Sequence, residues 1–553
     1  MKKLLAILLA LSMLLTLAAC GGEGAQQTEA PTESAVMDAS GKYYLDEARN
    51  EAILTGVAEA SQADKGNALV FYQIFVGSFS DSNGDGIGDL RGIINRFDYL
   101  NDGDPNSGLS LGVEGIWLSP IFTSPSYHKY DVADYYEIDP KFGTMEDLQE
   151  LIDLCHERGV KLILDLVINH TSTSHPWFRS FADAHKTGDT ESEYYDFYSW
   201  SEEPVDGKTM VHLTGSRHYY EGNFSSQMPE LNYDNEAVRA AMVDVAKYYL
   251  DMGIDGFRFD AAKYIYFGET TPNTDFWDWY MAELRAINPE VYSVAEVWDS
   301  DGITIPYFSS TNCFNFTMAQ VSGQIAQTAQ AGDVNVFTAY VQQYIEQIKA
   351  QNPDAMIVPF IANHDTDRAA GFLTLASGQA KVAANLNILM PGSPFIYYGE
   401  EIGLKGARGG ANTDANRRLA MNWGDGDTVT DPEGADYSSG QTNGTVAEQM
   451  ANGDSLYNHY KKLIMIRNAN PEIACGTYEA LQIPDSKLGG FASTLDGSTV
   501  VVLHNTSKSA VTVDLAQITD IPLEQLTAYV GVGAATLEGT VLTIDGQTSV
   551  VLR

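Results

Sequence analysis

Basic residues and cysteines are what this chain has least of. Its 553 residues hold 33 Lys and Arg against 74 Asp and Glu, a net charge of -41. That balance argues against nucleic acid or an anionic membrane surface as a partner, since both are bound through excess positive charge. A neutral substrate is compatible with it. The 4 cysteines, Cys20, Cys155, Cys313 and Cys475, lie far apart and make no metal-ligand spacing. A disulfide framework is excluded, a single disulfide stays open, and the last three read as buried small hydrophobes. No solenoid-type period is present. The apolar run from Leu4 to Leu17 is too short for a comfortable spanning helix. What is present is length and apolar content: 44% hydrophobic residues, enough for a barrel with accessory domains.

Lys2 and Lys3 precede that apolar run in the layout of a secretory signal. It ends Leu17-Ala18-Ala19-Cys20-Gly21, which resembles a bacterial lipoprotein signal. The resemblance implies a signal over residues 1–19 and a lipid on Cys20. The protein would then be held extracytoplasmically, on the outer face of the cell membrane, by its lipid anchor. An ordinary cleaved signal with an incidental cysteine is the other reading. Residues 20–40 are rich in Gly, Gln, Glu, Thr and Ser and read as a flexible tether.

From Ala68 onward short apolar runs alternate with helical periodicity. Leu69–Val76 and Val113–Leu118 read as strands buried on both faces. Thr144 opens a helix with Asp147 in a capping-box position; Leu148, Leu151, Ile152 and Cys155 share one face, and Gly159 closes it. Lys161–Ile168 is a third strand. Residues 171–234 carry no clean helical period and are dense in aromatics, which reads as an inserted subdomain whose rings mostly pack its own small core. Alternation resumes with Val238, Met242, Val245, Tyr249 and Met252 on one helix face, then strands at Gly256–Asp260, Val291–Glu296, Cys313–Phe316, Ala355–Ile361 and Pro394–Tyr398. Eight strands separated by helices predict an α/β fold of the (β/α)8 TIM-barrel type over residues 41–472, with the insert after strand three. Residues 473–553 lose the helical period and predict a C-terminal all-β sandwich.

In Gly256-Phe257-Arg258-Phe259-Asp260, period-two alternation puts Arg258 and Asp260 on one strand face. A carboxylate beside a fixed cation stays ionised, as a nucleophile must; a structural ion pair at a strand end would look the same. The strand ends decide between them, because barrel chemistry gathers where the βα loops meet. His170 follows strand three, Glu296 ends strand five, and His364 and Asp365 follow strand seven. Glu296 has no cation in its own motif and apolar neighbours, conditions that raise a carboxyl pKa. Separately, Asp81, Asn83, Asp85 and Asp89 with the Ile87 carbonyl offer hard oxygen ligands suited to Ca²⁺. Gly92 stands where an EF-hand needs its bidentate Glu, so this is no EF-hand; a metal-free Gly/Asp turn is the alternative.

Asp165–His170, Gly256–Asp260, Glu296-Val297-Trp298 and Asn363-His364-Asp365 resemble, in order and spacing, the four signature regions of the α-amylase family of glycoside hydrolases (family 13). The resemblance implies Asp260 as nucleophile, Glu296 as general acid/base and Asp365 as transition-state stabiliser. It implies substrate contacts from His170, His364 and Arg258, with Arg258 holding Asp260 ionised. Tyr127–Asp131 resembles the family segment whose tyrosine, here Tyr130, stacks on the sugar; Lys129 stands where the family more often has Gly. Arg418 resembles a site-lining residue expected to pair with Asp131, and Lys263 falls on the family's substrate-contacting lysine. Similar loops to Asp81–Asp89 bind structural Ca²⁺ in the family. Met228–Asn232 resembles a signature intermediate between amylases and oligo-1,6-glucosidases, and Ala261 after the nucleophile accompanies α-1,4 cleavage. The implied function is a retaining α-amylase acting on starch and maltooligosaccharides. An oligo-1,6-glucosidase or α-glucosidase is the first alternative, and a catalytically inactive glucan-binding lipoprotein the remote one.

Overall fold

The computed structural model describes residues 36–37, 43–44, 54, 56–330, 332–409, 414–437 and 443–553. The signal-like run, Cys20 and most of the tether lie outside the described residues. Among those described, no helix is long and apolar enough to cross a membrane.

Phe71–Ile74, Gly115–Leu118, Lys161–Leu166, Gly256–Phe259, Tyr292–Ala295 and Asn312–Cys313 are the first six barrel strands, and Phe395–Tyr397 is the eighth. They form one parallel sheet in which the eighth strand lies against the first. The seventh position is occupied by two single parallel bridges, Phe314↔Val358 and Phe360↔Phe395, rather than by the continuous strand expected over Ala355–Ile361. Pro359 between them has no N–H for a ladder, although its carbonyl accepts from Phe395 at 2.9 Å. These bridges close the sheet into the (β/α)8 barrel. The sixth strand is also shorter than expected. It ends at Cys313, and Phe314 and Phe316 turn inward to pack with Phe71, Trp117, Tyr292 and Phe395.

Two layers bury each strand, which is why they read as unbroken apolar runs. Phe257 and Phe259 join the outer layer against the helices, while Arg258 between them points inward. Gly256 lets the fourth and fifth strands meet, since a Cβ there would lie 2.0 Å from the Tyr292 carbonyl oxygen. Helix Met145–Glu157 has the full capping box of Thr144 and Asp147 and buries Leu148, Leu151, Ile152 and Cys155; such a cap contributes about 1 kcal/mol. Helix Glu236–Met252 ends on Gly253 at φ 107.

The aromatic stretch after strand three contains a helix that its lack of period did not announce, Pro176–Thr187. Its signals are at the ends: His175 caps it, Pro176 occupies the first turn, and Gly188 closes it at φ 74. A three-stranded antiparallel sheet follows, with Tyr219–Glu221 between Trp200–Ser201 and Met210–His212. Phe178, Phe197, Tyr198 and Tyr220 are buried in the core.

The C-terminal residues form a five-stranded and a three-stranded antiparallel sheet. Leu488, Val501, Leu503 and Val550 from the first meet Leu542 and Ile544 from the second in one core, a β sandwich. Phe491, Val500, Val502 and Val551 on the other face join the barrel's core. Cys155 and Cys313 are buried free thiols, but Cys475 is exposed, contrary to its reading as a buried hydrophobe. It is the last residue of helix Pro471–Cys475, two residues before the first strand of the sandwich, Thr477–Leu481.

Candidate active site

At the carboxyl ends of the strands lies a cavity of about 860 Å³, lined among others by Asp260, Glu296, Asp365, Tyr130, His170 and Arg418. Strand register explains the convergence. Arg258 is level with Asp165 on the third strand and Val294 on the fifth, so Asp260 and Glu296 are each the first residue past neighbouring strand ends. The Glu296 N–H donates to the Phe259 carbonyl at 2.9 Å, fixing that level. Ala261 then turns the chain at φ 49 and donates its N–H to Glu296 Oε2 at 3.2 Å. A left-handed residue costs about 1–2 kcal/mol and is worst for branched side chains, a physical reason for alanine here.

Arg258 does more than hold one acid. Its Nη1 contacts Asp165 and Asp260, each at 2.7 Å, and its Nη2 contacts Glu296 at 2.7 Å. Glu296 therefore does have a cation partner, supplied by the neighbouring strand, which its own motif could not reveal. The guanidinium also lies over Trp117, 5.1 Å from the ring centroid.

Burial pushes Glu296 up to about 7, with Asp260 and Asp365 adding to the rise and Arg258 opposing it. Burial likewise takes Asp165 up to about 8 against Arg258 and the Tyr130 hydroxyl, which donates to it at 2.9 Å. Asp260 is raised as well: burial outweighs Arg258, contrary to the expectation that the arginine would push it down. For Asp365 burial is overcome by the His364 ring and Arg418, which hold it well below the usual carboxylate range. Four acids thus face two guanidiniums. Protons on Asp165 and Glu296 leave Asp260 and Asp365 as the anions opposite Arg258 and Arg418, the arrangement with least uncompensated charge.

His170 lines the cavity with its pKa lowered to about 4 by burial, so its ring is neutral. His364 lies below the cavity floor, fully buried, with Nδ1 against Gln73 at 2.8 Å and its ring stacked on Tyr130 at 5.3 Å. Arg418 pairs with Asp365 at 2.8 Å and not with Asp131; Asp131 is buried and accepts instead from the Ser124 hydroxyl at 2.7 Å. Lys263 does not line the cavity. Its Nζ reaches the Trp298 carbonyl at 2.7 Å and Asp299 at 2.9 Å. Lys129 adopts φ 67, the left-handed conformation for which glycine is favoured, and its Nζ pairs with buried Asp139 at 2.6 Å. That ion pair anchors the turn with a side chain glycine lacks.

Asp165 and Gln73 were not singled out from the sequence. Each is a lone polar residue in an apolar strand run, and burial obliges such a residue to find a partner. Phe224, Trp298 and Gln320 also line the cavity from loops whose path no local pattern gives.

In the loop Asp81–Asp89, Asp81 accepts backbone N–H groups of Asn83, Gly84 and Gly86 at 2.8–3.0 Å, and Asp89 caps helix Leu90–Asn95 through Gly92 N–H. The loop's carboxylate, amide and carbonyl oxygens are hard donors of the kind a divalent cation takes. Among the described residues no three His, Cys, Asp or Glu side chains converge, so the Asn83 amide and Ile87 carbonyl would have to complete a site.

Comparison with known proteins places this geometry among relatives. The family described as "Alpha amylase, catalytic domain" matches residues 73–476. Alpha-amylase 3 of Dictyoglomus thermophilum is 35% identical over 450 residues, covering 79% of this chain and 85% of its own. The solved structure of Eubacterium rectale Amy13B is 34% identical with a TM-score of 0.83, covering 91% of this chain and 98% of that one. An α-amylase structure from H. orenii is 36% identical with a TM-score of 0.78, covering 89% and 99%.

Proposed function

This chain belongs to the α-amylase family of glycoside hydrolases, and on that premise we propose that it cleaves α-1,4-glucosidic bonds in starch and maltooligosaccharides with retention. One observation carries the reading: Asp260 and Glu296 share the two ends of a single guanidinium fork at the cavity floor. Two carboxyls so held suit the short separation, about 5–5.5 Å, of retaining glycosidases, and leave no gap for the water that inversion needs. Glu296, protonated near neutrality, gives its proton to the glycosidic oxygen as Asp260 attacks the anomeric carbon from the opposite face. The leaving sugar departs with that proton. Water then attacks the glycosyl ester, Glu296 takes its proton, and Asp260 is released. Asp365, held ionised by Arg418, faces the positive charge that develops on the ring.

The decisive test is proton NMR of the earliest products from maltoheptaose and, separately, isomaltotriose. New α-anomeric maltooligosaccharides from the first alone are expected. Cleavage of isomaltotriose would move the assignment to an oligo-1,6-glucosidase, and β-anomeric products would overturn retention.

Ca²⁺ in the Asp81–Asp89 loop would be structural, tying the end of the first strand to helix Leu90–Asn95. Added Ca²⁺ at about 100 times its Kd is expected to stabilise by about 2.7 kcal/mol, and Asp81→Ala to abolish that gain in thermal midpoint. An unshifted midpoint in the parent protein refutes the site. Lipidation at Cys20 is supported by the sequence around it. Cys20→Ser is expected to move the protein from the membrane to the soluble fraction, and unchanged partitioning would refute the anchor.

A further inference from the structure

Gln73 is the one amide in the first barrel strand, Phe71–Ile74, and is only 1% exposed. Strand alternation sends Tyr72 and Ile74 to the outer layer and Phe71 to the inner one, so Gln73 points into the barrel with Phe71. There its Nε2 lies 2.8 Å from Nδ1 of His364. Neither side chain lines the cavity. An amide that reaches no substrate thus stands where an apolar residue would pack, and its contact is with the imidazole beneath the catalytic acids.

The other nitrogen of that ring faces oxygen. His364 Nε2 is 3.0 Å from Asp365 Oδ2 and 2.5 Å from the Tyr130 hydroxyl oxygen. That hydroxyl gives its own proton to Asp165 at 2.9 Å. Both neighbours of Nε2 therefore present lone pairs, and only an N–H at Nε2 suits them. Burial lowers the His364 pKa, with Asp365 opposing and Arg418 and Arg258 adding to the fall, so the ring is neutral and carries one proton. With that proton on Nε2, Nδ1 is a buried lone pair and needs a donor. The Gln73 amide supplies it. The ring is also held in plane: it stacks on Tyr130 with planes 5° apart, and Trp117 meets it edge-on at 5.7 Å.

We infer that Gln73 is a positioning residue for the reaction: its amide donates to His364 Nδ1 and so keeps the imidazole proton on Nε2, aimed at Asp365. The inference rests on the glycosidase reading above, in which Asp365 faces the charge that develops on the sugar. A carboxylate that receives this hydrogen bond stays ionised and oriented. With the proton on Nδ1, a lone pair would face the carboxylate instead and repel it from its place.

The test has a spectroscopic and a kinetic arm. In the parent protein with ¹⁵N-labelled histidine, NMR near pH 7 should show His364 with its proton on Nε2 and a bare Nδ1, the signals being assigned by their loss in His364→Gln. With maltoheptaose, two variants are compared. Gln73→Met fills much the same space without a donor; its kcat should fall about 10–100-fold, the scale seen when the partner orienting a functional imidazole is removed, while KM stays within a few-fold. Gln73→Glu places a carboxyl against Nδ1. Whichever of the two holds the shared proton, Nε2 keeps its own, so this variant should recover most of kcat even as its thermal midpoint drops. A merely structural role reverses that order, because methionine suits an apolar interior better than a carboxyl does. A proton on Nδ1 in the parent protein, or a kcat for Gln73→Met equal to the parent's, would overturn the inference. The parent tautomer decides even where a variant does not fold. An Nδ1–H ring in a protein that turns over maltoheptaose sinks the role of Gln73 alone. A parent protein that turns over no glucan takes the glycosidase reading and the inference down together.

Discussion

Asp260→Asn should lower kcat on maltoheptaose by about 10⁴-fold or more, while the Kd for the same ligand stays within a few-fold. The substitution is isosteric, and Asn still reaches Arg258, so the 7% exposed side chain keeps its packing. What it loses is the electron pair that attacks the anomeric carbon. The variant also has a chemical signature. With α-glucosyl fluoride, added azide can take the place of the missing carboxylate: its nitrogen forms the bond to the anomeric carbon as fluoride leaves. Restored turnover with a β-glucosyl azide product is the expected result. A fully active variant would remove Asp260 from the chemistry, and tight binding without turnover in the parent protein itself would favour a glucan-binding protein.

The second large effect is expected from Arg258→Leu, with a loss of about 3–5 kcal/mol in stability and a collapse of kcat. Arg258 is fully buried and is the shared cation of Asp165, Asp260 and Glu296. Leucine fills much of the volume but leaves these acids without their counter-charge, so their protonated forms gain. The pH dependence has a definite sign. Asp165 and Glu296 already have folded-state values raised, to about 8 and about 7, above the ordinary carboxylate range. Stability from such groups is present below their unfolded values and is lost as pH rises through the folded ones. Removing Arg258 raises them further. The deficit relative to the parent should therefore be largest near pH 8 and shrink toward pH 5, as denaturant midpoints across that range would register. Arg258→Lys should recover little of kcat, because one ammonium cannot span both carboxyls. A deficit that is flat with pH would contradict the shared-cation account.

Much of the barrel was legible because burial on two faces writes unbroken apolar runs, and helices write their period and caps. The helix Pro176–Thr187 was missed because its period is masked by aromatics that serve the insert's core; only Pro176 and Gly188 announced it. Residues 355–361 form two single bridges and no continuous strand, because an apolar run signals burial while Pro359 governs whether a ladder can form. Asp260, Glu296 and Asp365 could be named from strand ends alone, and they do line one cavity. Their electrostatics could not be read in the same way. A motif contains only neighbours in sequence, whereas Glu296 meets Arg258 across the sheet and Asp365 meets Arg418 from a loop after the eighth strand.

The sequence by itself determined the order of the barrel strands, the strand ends on which acids stand, and the family to which they belong. These depend on local patterning, which the chain carries wherever it folds. Tertiary structure alone decided which charges compensate which, why Lys129 can hold a left-handed turn, and that Lys263 braces Trp298 instead of lining the cavity. Those are distances between residues far apart in the chain, and Coulomb energies and pKa values depend on distance and burial, which no stretch of sequence contains.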